Sequence, residues 1–257
     1  MNAPSGIFGD EAAELPLASL KRLARIAGVF YLVVAITGGF SEGFVDPYIY
    51  VAGDATTTAA NVLGNASLMR LGVVAHLTDA VFLPLTALTL YLLLQHAGKH
   101  AARLMVVAVI IAAGIKSVDT VFSYVALNVA TDSSYETALG LLGSSAIVLI
   151  LLDIQHYAVL AAQVFFSLWL APLGYLAIKS RLFPRALGII LILATLSYLA
   201  QIVLAFLLPA LEGQIHNYLV ILPLVAEVWM LFYLLIIGVR TPRTAHHAPV
   251  QVAPLPA

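Results

Sequence analysis

The chain has 257 residues, of which 62% are hydrophobic and 10% charged, and its mean hydropathy is +1.01. A soluble domain draws about a quarter of its residues from Asp, Glu, Lys and Arg, so this composition excludes a soluble globular fold and makes lipid the solvent. The 12 Lys plus Arg are balanced by 13 Asp plus Glu, which leaves no positive field to hold nucleic acid. The absence of cysteine excludes disulfides, thiolate metal sites and cysteine nucleophiles.

At the start of the chain Asp10, Glu11 and Glu14 precede the first basic residues, unlike a secretory signal. The first apolar segment is therefore expected to be retained, with residues 1–20 as a cytoplasmic tail. A helix crossing the hydrocarbon core needs about 20 mostly apolar residues. Six segments qualify: Ile26 to Phe44, Leu71 to Gln95, Leu104 to Val129, Ile150 to Ile178, Ala186 to Pro209 and Tyr218 to Val239. The fold expected is an all-α, six-span helix bundle over residues 21–240. Between the first two spans, Asp54 reads as the N-cap of a helix ATTTAANVLGNASL. The stretch from Ser134 to Lys179 would be roughly 69 Å long as one helix at about 1.5 Å per residue, so it must break. Tyr135 to Ala146 is read as an interfacial or re-entrant helix, the second of two in the outer loops. Residues 241–257, rich in Pro and Ala, read as a disordered cytoplasmic tail in which His246 and His247 are solvated.

Basic residues in short loops set the orientation. Lys21, Arg22 and Arg25 precede the first span; Lys99 and Arg103 join the second to the third. Lys179, Arg181 and Arg185 join the fourth to the fifth, and Arg240 and Arg243 follow the sixth. The opposite loops carry Asp46, Asp54, Asp132, Glu136 and Glu212, with Arg70 at the foot of the second span. Both termini are expected in the cytoplasm.

Within the spans lie His76, Asp79, Lys116, Asp119, Asp153, His156 and Glu227. A charged side chain at the centre of a span costs about 3 kcal/mol, so the five acids and bases among them would cost on the order of 15 kcal/mol unpaired. They must face one another, water or a ligand. His76 with Asp79, Lys116 with Asp119, and Asp153 with His156 are each three residues apart, which sets both members of a pair on one helix face. Thr120, Ser123, Tyr157, Gln163, Ser197, Tyr198 and Gln201 extend these polar stripes, and Glu42 and Arg70 sit at the same outer rim. The expectation is a polar cavity opening outward above an apolar plug. Its acids outnumber Lys116, so one should pair with it while the others hold a proton or meet a cation. Pro223, one turn before Glu227, frees a backbone carbonyl that could join the cavity. Trp229 and Tyr233 read as lipid or core contacts, and Gly38, Gly39, Gly140 and Gly143 as sites of close helix contact.

The strings RLARIAGVFYLVVAITGGFSEGFV, GDATTTAANVLGNASLMRLG and DIQHYAVLAAQVFFSLWLAPLGYLAIKSRLFPRALG resemble the bacterial integral membrane family catalogued as Domain of Unknown Function 4386, over about Leu20 to Val239. The resemblance implies a multi-pass fold in a bacterial cytoplasmic membrane and no particular reaction. Members of that family often carry a basic residue soon after Ser-Glu-x-x-Val, where this chain has Asp46, so the resemblance does not imply an anion site in that loop.

Three functions compete. Binding, sensing or proton-linked transport of a small apolar or cationic molecule would use the embedded acids. A membrane enzyme would use a protonated Asp as general acid on a lipid or isoprenoid, or a metal held by His76, Asp79, Asp153 and His156, with His216 as a further candidate ligand. A structural or regulatory subunit would use the cluster only for packing. The lipid bilayer is the one partner implied; cofactor, ligand identity and oligomeric state are left open by the sequence.

Overall fold

In the computed structural model, which describes residues 16–240, every regular element is helical. Helix α1, Leu17–Phe40, passes through a π-helical turn, Ser41–Val45, into the short α2, Asp46–Ile49. The widening has local causes. Gly38, Gly39 and Gly43 are weak helix formers, Ser41 Oγ donates back to the Thr37 carbonyl at 2.8 Å, and Pro47 cannot donate to the carbonyl four residues before it. The first span therefore runs to Ile49, and Asp46, expected in a loop, lies on a helix.

Asp54 caps α3, Ala55–Gly64, accepting the Thr57 N–H at 2.9 Å and the Thr57 hydroxyl at 2.7 Å. These two bonds hold its carboxyl below the usual carboxylate range. Asn65 ends α3, so the Ala-Ser-Leu that follows begins α4, Ala66–Leu94. Helix α5 is Lys99–Thr131, and α6 is Ser133–Ser180, 48 residues long. The break that its length demands falls at Gly140, where φ 71° and ψ 162° suit glycine alone. Residues 133–139 form a short exposed leg, and the spanning leg begins at residue 141. That corrects the separate helix from Tyr135 to Ala146, whose second half, residues 141–146, belongs to the span.

Helix α7, Arg185–Leu207, stops before Pro209, which occupies the first turn of α8, Pro209–Leu219. The sequence reading leaves most of α8 as a connection. The chain finishes with α9, Ile221–Phe232, and a second π-helical turn, Tyr233–Ile237. Residues 1–15 and 241–257, with Asp10, Glu11, Glu14, Arg243, His246 and His247, lie outside the described residues.

Six segments of the described chain are long and apolar enough to cross a membrane: Leu17–Ile49, Ala66–Leu94, Lys99–Thr131, Ser133–Ser180, Arg185–Leu207 and Pro209–Ile237. Large apolar side chains such as Ile36, Leu71, Val118, Leu196 and Leu224 are exposed on their outer faces, as a lipid-solvated surface requires. The protein is a multi-pass membrane protein. Each span packs on the next, α1 on α4, α4 on α5, α5 on α6, α6 on α7 and α7 on α9, and the last π turn closes the ring against α1.

The ring is tightest where backbones meet. A Cβ on Gly174 of α6 would fall 2.5 Å from the Gly188 carbonyl of α7, and one on Gly28 of α1 would meet the Leu235 backbone at 3.0 Å. The glycines singled out from sequence do other things. Gly38 and Gly39 line a cavity, Gly140 makes the kink, and at Gly143 an added Cβ would meet only its own helix at Leu139. The four basic loops gather at one end: Gly98 lies beside Lys179, Gly238 beside Lys21, and Arg240 N–H donates to the Leu182 carbonyl. The larger apolar core, including Leu83, Leu90, Met105, Trp169, Leu173 and Leu234, fills this end. A smaller core at the opposite end joins Val62 of α3 to Val45, Met69, Leu127 and Leu152.

Candidate functional site

Between the two cores the ring encloses a cavity of about 340 Å³, in the range that holds small ligands. One wall is Tyr31, Ala35, Gly38 and Gly39 of α1 with Glu42 of the π turn; 31, 35, 38 and 42 are three or four apart and share one helix face. Tyr31 and Glu42 are roughly 16 Å apart along that helix. The facing walls come from Val159, Gln163 and Phe166 of α6, Tyr198 of α7, and Leu224, Glu227 and Val228 of α9. Ala35, Gly39, Leu224 and Val228 are the exposed part of the lining, so the cavity reaches the flank of the bundle between α1 and α9.

One end of the cavity is an ion triad. Lys116 Nζ contacts both Glu42 and Asp79, and Lys116 is 6% and Asp79 1% exposed. The π turn aims Glu42 inward, which gives Lys116 two acids where the charge count asks for one. The other end holds Glu227, whose Oε2 accepts the Tyr31 hydroxyl at 3.0 Å and Oε1 the Tyr198 hydroxyl at 2.9 Å. No cation lies within salt-bridge distance of it among the described residues. Phe166 packs edge-on to Tyr198, and Trp169 edge-on to Tyr31, at centroid distances of 6.1 and 5.7 Å. The carbonyl freed by Pro223 is that of Leu219, and it does not enter the cavity: Ser197 Oγ donates to it at 2.7 Å. Trp229 is partly exposed, and Tyr233 lies in the core with its ring tilted against that of Phe183.

The remaining candidates divide among other partners. His76, fully buried, donates from Nε2 to Asp46 at 3.1 Å rather than meeting Asp79, and Gln155 donates to the same carboxylate at 3.1 Å. Asp119 receives only a long bond from Thr120, at 3.3 Å, and its Oδ2 has no partner among the described residues. Asp153 and His156 stay on the flank of α6. Asp153 accepts the Tyr50 hydroxyl at 2.6 Å, and His156 stacks on the Tyr50 ring at 5.3 Å. Gln201 Nε2 lies 3.1 Å from His216 Nδ1, which pairs with Glu212 on the exposed α8. Arg70 is exposed and makes no salt bridge with a described residue.

The four residues weighed as metal ligands, His76, Asp79, Asp153 and His156, are thus dispersed. No group of three His, Asp or Glu suited to a metal occurs among the described residues. Three residues that the sequence reading does not nominate as site residues matter here. Asp46 was obscured because the apolar run ends at Phe44, although Pro47 beside it marks a fresh helical turn. Tyr31 looks like ordinary aromatic wall, and Tyr198 like one member of a polar stripe, until the fold sets both hydroxyls on Glu227. The 31, 35, 38, 42 spacing of small and polar residues on α1 is the signal that could have found Tyr31.

No curated protein and no solved structure matches the chain. Residues 26–238 match the family described as a domain of unknown function (DUF4386), a match that runs through all six spans. The chain therefore belongs to the DUF4386 family.

Proposed function

We propose that this protein binds a small apolar or cationic molecule in the cavity between α1, α6 and α9, as a carrier or sensor whose embedded acids handle protons. The basic loops point to a cytoplasmic face at the Lys21, Lys99 and Arg185 end. The triad and the Tyr50 rim then lie in the outer half of a bacterial cytoplasmic membrane, with cytoplasmic tails on either side of residues 21–240.

The observation that carries this reading is the cavity itself. An apolar chamber of about 340 Å³ has ionisable groups at both ends, and a carboxyl inside a membrane holds either a proton or a cation. A network made only for packing would close such a space, since an empty chamber forfeits the contacts of its lining.

Gly39 provides the test, because a Cβ added there meets nothing within 4 Å. Gly39→Leu should narrow the cavity at its α1 wall, starting from a Cβ that touches no neighbour. In native mass spectrometry of the purified protein, the wild type should carry a small molecule that Gly39→Leu loses, while circular dichroism shows the same helical content in both proteins. Identical spectra for the two proteins would count against ligand binding in this cavity.

A further inference from the structure

We propose that the Glu227 end of the cavity is a site for an organic ammonium cation with an apolar body. This rests on the reading of the cavity as a ligand site and adds the chemistry that the ligand must have. The argument starts from what surrounds the Glu227 carboxyl. Both oxygens already take hydroxyl donors, from Tyr31 and Tyr198, which stabilise a negative charge, and no cationic side chain contacts it. Lys116, the one base of the lining, is committed at the far end of the cavity to Glu42 and Asp79.

The remaining surface at this end is aromatic. Tyr31, Phe166 and Tyr198 line it as rings, and Gln163, also in the lining, has a buried Oε1 with no partner among the described residues. Aromatic faces around a carboxylate attract a diffuse cation. A metal ion would instead need several hard oxygen ligands at short range. An anion is disfavoured by Glu227, and a neutral apolar molecule would be accommodated only with a proton on Glu227. The apolar stretch between the two ends, formed by Ala35, Val159 and Val228, suits the hydrocarbon body. The exposed gap between α1 and α9 gives an amphiphile a route from the bilayer.

Two probes of nearly equal shape separate charge from hydrophobicity: benzyltrimethylammonium and its neutral carbon isostere neopentylbenzene. The chain has two tryptophans, so Trp229→Phe leaves Trp169, packed against Tyr31 and Phe166, as the fluorescent reporter. In detergent micelles the ammonium should change that emission saturably and bind at least tenfold more tightly than the isostere. Glu227→Gln should abolish the tenfold preference while leaving the isostere's affinity unchanged. Phe166→Leu, which keeps the carboxylate and most of the apolar volume, should weaken the ammonium several-fold and supplies a second arm should Glu227→Gln fold poorly. Equal binding of the two probes to the wild type would overturn the ammonium assignment and leave the cavity reading standing. Saturation by neither probe would remove both.

Discussion

Lys116 is the one basic side chain of the cavity, and replacing it should expose the energetics of the whole triad. Lys116→Met keeps most of the unbranched apolar stem of the side chain but strands Glu42 and Asp79. Removing one member of a buried ion pair costs about 3–5 kcal/mol. Asp79 is almost wholly buried, whereas the Glu42 side chain is 33% exposed and partly solvated, so the lower end of that range, about 3 kcal/mol, applies. At about 2–4 °C per kcal/mol for a chain of this size, the melting temperature in detergent should fall by about 6–12 °C. Asp79→Asn in the same protein should recover part of the loss, because the most deeply buried stranded charge is gone. A double-mutant cycle should then give a coupling of roughly 2 kcal/mol. The deficit should also shrink at pH 5 relative to pH 8, since protonating the stranded carboxyls becomes easier as pH falls. Melting of Lys116→Met within about 2 °C of wild type, or strict additivity with Asp79→Asn, would refute the triad as an energetic unit.

Two further outcomes test the frame around it. The chain contains no cysteine, so single-cysteine variants report topology directly: an impermeant maleimide added to intact cells should label Thr56→Cys on α3 and spare Lys99→Cys, and the reverse pattern would invert the proposed orientation. Gly174→Ala should cost about 1–3 kcal/mol, read as lost thermal stability, because its Cβ would meet the backbone carbonyl of Gly188, whereas Gly39→Ala, with open space around its Cβ, should leave melting no lower than wild type.

Much of the architecture is legible because membrane insertion imposes one-dimensional rules. A run of about 20 apolar residues must be helical to satisfy its backbone in lipid, which is why each of the six expected spans coincides with most of an observed one. The departures occur where one or two residues set the local backbone. Gly140 sets the break in α6, and Pro209 starts a helix in what reads as a loop. The π turn at Ser41–Val45 extends the first span and changes where Glu42 and Asp46 point. Such irregularities arise from single missing hydrogen bonds, which periodicity over a window averages away.

The sequence by itself determined the solvent, the number of spans, the clustering of basic loops at one end and the inventory of buried ionisable groups, because hydropathy and loop charge are sums over residues that need no partner. Only the tertiary structure decided who meets whom. His76 pairs with Asp46 and not with Asp79, Lys116 joins Glu42 to Asp79, and Tyr31 and Tyr198 converge on Glu227 from helices remote in sequence. Spacing of three residues fixes the face of a helix on which two groups lie. The rotation of that helix against its neighbours, set by close packing such as Gly174 on Gly188, selects the partner.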